Sequence, residues 1–215
     1  MKWVILAGGE YSDVMVFTSE VEPGDKIIAV DSGANFAFRA GIQPDYLVGD
    51  MDSIDPQVLD YMRARGVDIR VFPPEKDFTD TQLALALAEE MGAKSLIIMG
   101  WCGDRFDHSL ANLYSGIGIV QRGVRVTYIS PGCRVYLVNR ELQLAGKEGD
   151  LVSLLALSPA VEGVSLEGFA YPLHDAILKY DNPYAVSNRM LESRAKVSIR
   201  RGVVAVFHYE SGISR

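Results

Sequence analysis

Up to about Pro131, short apolar runs recur that stop at a glycine or an acid. Lys2–Ala7, Lys26–Val30, Tyr46–Val48, Val67–Phe72, Lys94–Met99 and Val124–Ile129 are each short enough, and apolar enough, to read as buried strands. Between them the apolar positions change to helical spacing. Val58, Leu59 and Met62 share a face of Pro56–Arg65, and Leu83, Leu85, Ala86 and Leu87 mark Thr81–Met91. Ala34–Ala40 and Ser109–Gln121 read the same way, and Gly66 and Gly92 stop two of these helices. Strands alternating with helices, joined by crossovers of this length, predict an α/β fold with a doubly wound, mostly parallel sheet. After Pro131 the texture changes. Arg134–Val138, Leu151–Leu157, Val164–Phe169, Ala195–Ile199 and Val203–Tyr209 are β-like, glycines punctuate them, and no long helix is expected. Arg201-Gly202 reads as a hairpin turn between the last two. The expected division is residues 1–131, an α/β domain, and 132–215, an antiparallel β-sandwich or roll.

The polar residues at the strand ends carry the candidate chemistry. Asp31, Asp50, Asp52, Asp77, Asp80 and Asp107 all follow predicted strands. A parallel sheet brings those loops to one edge, where open α/β sheets bind ligands. Each acid alone is explained as a turn or helix cap, as Asp52-Ser53 or Asp31 would be. Their gathering is explained less well, because like charges placed together repel unless a cation lies among them. Asp50 and Asp52, two apart after Tyr46–Gly49, suit a hard cation such as Mg²⁺, which takes oxygen ligands and keeps waters for phosphates to replace. Asp77, Thr79 or Asp80 caps the following helix, but two acids and Lys76 exceed what a cap needs. Arg105 offers a planar fork for phosphate oxygens, with Asp107 placed to fix it. His108 is a lone histidine, and Asn112 lies one turn on, pointing back toward its loop. Gly8-Gly9 is a tight turn or a phosphate contact; neither a Walker loop nor a complete dinucleotide fingerprint is present. Tyr180–Asn188 reads as an irregular surface loop.

Composition narrows the partners. With 21 basic and 28 acidic residues the net charge is −7, which argues against broad nucleic-acid or anionic-membrane binding. Hydrophobic residues make up 48%, ample for a core. Cys102 and Cys133 are the two cysteines and fall in no C-x-x-C, so neither zinc nor a disulfide framework is indicated. The start reads as a first strand rather than a signal peptide, and no apolar run spans a bilayer. A cytoplasmic address is expected.

Seven stretches, in order and covering nearly the whole chain, resemble the thiamine pyrophosphokinase family. They are Val30–Asn35 (VDSGAN), Val48–Ile54 (VGDMDSI), Lys76–Leu85 (KDFTDTQLAL), Gly103–Leu113 (GDRFDHSLANL), Glu148–Leu157 (EGDLVSLLAL), Leu166–Leu173 (LEGFAYPL) and the Ser187-Asn188 pair. The chain departs from the family at Ser32, where a glycine is common, at Asp104, commonly glycine too, and at Arg189-Met190, near which some members carry a tryptophan. The resemblance implies a two-domain homodimer that moves a pyrophosphoryl group from ATP to the hydroxyl of thiamine, giving thiamine diphosphate and AMP. It implies Asp50, Asp52, Asp77 and Asp80 as catalytic acids, the first three as Mg²⁺ ligands. Asp31, Asn35, Lys76, Thr79, Arg105, Asp107 and His108 would meet ATP, and Ser187 and Asn188 would meet thiamine. A pyrophosphokinase for a hydroxymethylpterin, a sugar-nucleotide transferase using the D-x-D, and a ligand sensor without catalysis are the rival readings.

Overall fold

The computed structural model describes residues 2–11, 14–73, 75 and 77–210. They fall into two compact units: residues up to Ile119 with Tyr128–Pro131, and Val120–Thr127 with everything from Gly132.

The first unit alternates strand and helix, as the apolar runs predict. Its elements are β1 (Trp3–Leu6), α1 (Val14–Glu20), β2 (Lys26–Val30), α2 (Gly33–Arg39), β3 (Tyr46–Gly49), α3 (Pro56–Ala64), β4 (Asp68–Val71), α4 (Asp80–Glu90), β5 (Ser95–Met99) and α5 (Phe106–Gln121), followed by β6 (Arg125–Ser130). All pairings among β1 to β5 are parallel, in the order β5-β1-β2-β3-β4. The chain therefore steps outward from β1 to β4 and returns to pair β5 on the other side of β1. That reversal opens a crevice beyond the carboxyl ends of β1 and β5, the place where doubly wound sheets bind ligands. Val4, Leu6, Ala29 and Leu47 are fully buried, because a sheet covered on both faces needs unbroken apolar strands. Edge strand β4 exposes Asp68 and Val71. α1, which is not among the elements the apolar spacing predicts, buries only Phe17.

The second unit is antiparallel. β7 (Cys133–Val138), β9 (Leu151–Ala156), β12 (Asn188–Arg189) and β14 (Val204–Tyr209) form one sheet in the order β12-β9-β14-β7. β8 (Glu141–Ala145), β10 (Ala160–Glu167), β11 (Leu173–Lys179) and β13 (Arg194–Ser198) form the other, β11-β10-β13-β8. Val152, Leu154, Val204 and Val206 of the first sheet pack with Val161, Val164, Leu166 and Val197 of the second in one apolar core. This is a sandwich.

Two expectations change. Arg201-Gly202 is not a hairpin turn: β13 pairs with β8 and β10, β14 with β7 and β9, so the segment carries the chain from one sheet to the other. Arg201 bridges Glu162 there. β8 and β11 were not anticipated, since both lie at sheet edges where polar side chains break the apolar alternation.

Candidate active site

At the β1/β5 switch point lies a cavity of about 530 Å³, within the range of small-ligand sites. Its walls are the loops after β1, β2 and β5, Thr79–Thr81 at the start of α4, and the first turns of α5. The loops are bound to one another. Gly9 N donates to Gly100 O (2.7 Å) and Glu10 N to Cys102 O (2.7 Å). A Cβ on Gly9 would lie 2.3 Å from Cys102 O, and one on Gly33 2.0 Å from Leu6 O. Glycine is needed there because the backbones nearly touch. Two amides of the Gly8-Gly9 turn region are thus spent on holding loops together.

One wall is acidic. Asp31 has φ of 43°, uncommon for a residue with a side chain. Its Oδ1 is buried without a hydrogen-bond partner. Its carboxyl is pushed up to about 7, first by burial, then by the charge of Asp80 and a hydrogen bond with it, then by the charge of Asp50, with the Met51 amide pulling the other way. Gly49 makes room for it: a Cβ there would lie 1.6 Å from Asp31 Oδ1. Asp50 Oδ1 accepts from Asp52 N (3.1 Å), a local turn that fixes the D-x-D loop, with Met51 at φ 70°. Asp52 and Asp77 are exposed in the loops after β3 and β4. Lys76 lies outside the described residues. Among those described, no three Asp, Glu, His or Cys side chains already form a metal cage.

Thr79 is the residue that caps α4. Its hydroxyl accepts from Gln82 N (3.2 Å) while Gln82 Oε1 accepts from Thr79 N (2.8 Å), a capping box. This leaves Asp80 in the first turn, lining the cavity beside Asp31. Asn35 stands one loop back, with its amide committed to Ser53 O (3.2 Å) and Asp55 N (3.1 Å). It anchors the loop that carries Asp50 and Asp52.

Arg105 and His108 line another part of the cavity, together with Asp104. Arg105 makes a fork to Asp107, Nη2 to Oδ2 at 2.6 Å and Nε to Oδ1 at 3.3 Å. Hydrogen bonding to Arg105 holds the Asp107 carboxyl below the usual carboxylate range. Two residues of α5 tie the loop down. Asn112 Nδ2 donates to Trp101 O (2.7 Å), and Ser109 Oγ accepts from Gly103 N (3.4 Å). Trp101 and Ser109, which the sequence reading did not single out, line the cavity through their place after β5 and on α5.

In the second unit Ser187 is exposed, with φ 60°, and its amide donates to Ser153 Oγ (3.0 Å). Asn188 is buried. Its Oδ1 accepts from Tyr171 N (3.0 Å) and its Nδ2 donates to Tyr171 O (2.7 Å). The amide thus grips the main chain of a neighbouring segment.

Family models of the thiamin pyrophosphokinase catalytic domain and of the thiamin pyrophosphokinase vitamin B1 binding domain match residues 17–128 and 136–204. The chain belongs to the thiamine pyrophosphokinase family. It is similar to a Bacillus subtilis protein named thiamine pyrophosphokinase, 28% identical over 209 residues that are 93% of this chain and 94% of the relative. A rice protein, thiamine pyrophosphokinase 1, is 23% identical over 199 residues, 80% of this chain and 74% of its own length. Among solved structures, thiamine pyrophosphokinase from Bacillus subtilis superposes with TM-score 0.85 at 25% identity, covering 98% of this chain and 100% of the other. A thiamin pyrophosphokinase family protein from Enterococcus faecalis gives 0.77 at 26%, with coverage of 98% and 100%. This is a family of enzymes whose general reaction is transfer of pyrophosphate from ATP.

Proposed function

We propose that the chain transfers the β,γ-pyrophosphoryl group of ATP to the hydroxyl of thiamine. The hydroxyl oxygen attacks the β-phosphorus, the bond from that phosphorus to the α,β-bridging oxygen breaks, AMP leaves, and the hydroxyl proton passes to a carboxylate. The observation that carries this reading is a cavity at the β1/β5 switch point with Asp31 and Asp80 on one wall and Arg105 on another. Polyphosphate transfer asks for positioning and charge neutralisation more than for covalent chemistry, and such a pair of walls supplies both.

Mg²⁺ fits the acidic wall. An unpartnered buried carboxylate oxygen, with two further carboxylates raising its proton affinity, is what a site looks like when a cation is part of its charge balance. Mg²⁺ needs only one or two protein carboxylates besides waters and phosphates, so a ready cage of three is not required. Asp50, whose charge acts on Asp31, would hold it together with Asp52 and Asp77, which stand in the loops after β3 and β4 and do not themselves line the cavity, and when bound it would neutralise charge on the polyphosphate. Asp80 or Asp52 accepts the hydroxyl proton, Arg105, held by Asp107, meets phosphate oxygens with Lys76, Thr79 and His108, and Asp31 and Asn35 shape the nucleotide side. Ser187 and Asn188 meet the acceptor. Residues 1–131 form the catalytic domain and 132–215 the acceptor-binding domain, in keeping with where the two family models match. The homodimer and cytoplasmic address implied by the resemblance belong to the same reading, and sedimentation equilibrium tests the first. No helix among the described residues is long and apolar enough to cross a membrane.

The test is AMP release from purified protein with MgATP, with and without thiamine, with mass analysis of the acceptor. Equal amounts of AMP and thiamine diphosphate, both dependent on thiamine, are expected. AMP formed only with a hydroxymethylpterin refutes the acceptor. No AMP with either makes the site a binding site alone.

A further inference from the structure

Outside the cavity the described residues hold one deeply buried ionisable pair that the reaction does not use. Asp150, in the turn before β9, and His208, on β14, are 1% and 2% exposed. His208 Nε2 and Asp150 Oδ2 share a hydrogen bond of 2.8 Å. The same oxygen accepts from Lys147 N (2.8 Å), which closes the turn. His208 Nδ1 is buried without a partner. For stability alone this is a poor use of a sandwich core, since apolar side chains of similar volume often serve as well or better, and an unpaired buried nitrogen is costly. What a hydrogen bond adds, and apolar packing lacks, is direction.

The direction leads to the acceptor segment. Asp150 O accepts from Met190 N (3.0 Å), and Gly149 N donates to Met190 O (2.9 Å). β12 pairs with β9 at Asn188 with Val152 and Arg189 with Leu151, and β14 pairs with β9 at His208 with Val152. A Cβ on Gly146 would lie 2.6 Å from Asp150 Oδ2, 2.9 Å from His208 Nε2 and 2.9 Å from Met190 Sδ, so turn, pair and β12 meet at one point. From β12 the linkage continues: Ala170 N donates to Arg189 O (2.9 Å), and the Asn188 amide grips Tyr171 on both its main-chain groups.

We propose that the Asp150–His208 pair is a positioning device of the acceptor site. It fixes the turn that carries β12, and β12 fixes Ser187, Asn188 and the Tyr171 segment. The inference rests on the reading that Ser187 and Asn188 meet thiamine. Neither Asp150 nor His208 touches substrate; they act through the main chain of β12.

Steady-state KM for thiamine and for ATP, measured separately, tests it. His208→Leu raises the thiamine KM about tenfold or more, with kcat and the ATP KM within about twofold, and His208→Gln, whose amide can reproduce the Nε2 hydrogen bond, recovers most of the loss. A folded His208→Leu with unchanged thiamine KM, or with both KM values raised alike, overturns the inference. Ser187→Ala combined with Asn188→Ala separates the two claims. If that double variant raises the thiamine KM while His208→Leu does not, only the positioning role fails. If it leaves the thiamine KM unchanged, the acceptor reading fails and the inference with it. Should His208→Leu not fold, the isosteric Asp150→Asn decides by hydrogen exchange in the full chain. The Met190 and Tyr171 amides exchange at least about tenfold faster if the pair positions them, and exchange at the wild-type rate overturns the proposal.

Discussion

Asp31 in the first unit and Asp150 in the second are carboxylates in loops next to a buried strand, yet they live in opposite surroundings. Asp31 has an oxygen with no partner, and its nearest electrostatic neighbours are two more acids, Asp80 and Asp50. Asp150 is more deeply buried and is met by a main-chain amide and an imidazole. The first arrangement crowds like charge at a cavity and raises the proton affinity of Asp31. The second spends a buried carboxyl on holding a turn. Burial by itself therefore does not single out a candidate ligand site; a buried oxygen without a partner, beside like charge and at a cavity wall, is the feature that does so.

The comparison is broken most directly by Asp80→Asn. Turnover should fall by about 10²–10³-fold, the usual scale for removing one preorganised electrostatic group, with thermal unfolding unchanged or shifted slightly upward because a repulsion is relieved. Steady-state AMP formation beside a melting curve checks both, and retained turnover would make the acidic wall incidental. Gly49→Ala keeps every acid yet puts a Cβ against Asp31 Oδ1 at a φ of 150°. A loss of turnover of about tenfold or more is expected, since small misplacements of reacting groups can cost up to about 10²-fold. Equal activity in Gly49→Ala would show that the placing of Asp31 does not matter. Arg105→Lys keeps the charge and loses the fork to Asp107; the ATP KM should rise several-fold, to about tenfold, with no change in melting temperature, because the pair is exposed to solvent. Isothermal titration with a non-hydrolysable ATP analogue reads this. The smallest effect belongs to Thr79→Ala, which removes the capping-box hydroxyl and should cost about 1 kcal/mol in urea unfolding, while Thr79→Ser costs little. A turnover loss in Thr79→Ala far beyond its loss of stability would point to a role at the phosphates besides the cap.

Much of the first unit was legible because parallel strands buried on both faces read as unbroken apolar runs, and because the acids stand directly after them. Of the six acids that follow strands, Asp31 and Asp80 line the cavity and Asp50 lies near enough to act on Asp31, while Asp52, Asp77 and Asp107 do not line it. Position after a strand could not say which carboxylate lacks a partner, since that depends on how closely Gly49 lets β3 approach Asp31. Asn35 shows the limit from the other side. It stands in a motif of the family, but its amide reaches across to Ser53 and Asp55, partners about twenty positions away along the chain. In the second unit the edge strands β8 and β11 and the passage through Arg201-Gly202 escaped notice, because antiparallel pairing joins residues far apart and polar edges hide the period of two.

Strand and helix order, the parallel class of the first unit, the edge where chemistry gathers and the family itself follow from local pattern and motif order, which the chain carries wherever it goes. The union of Asp150 with His208, fifty-eight positions apart, the grip of Asn188 on Tyr171 and the meeting of Asp31, Asp80 and Arg105 around one cavity come only with folding. Hydrogen bonds of that kind are set by distance and angle in space, and no spacing along a chain encodes them.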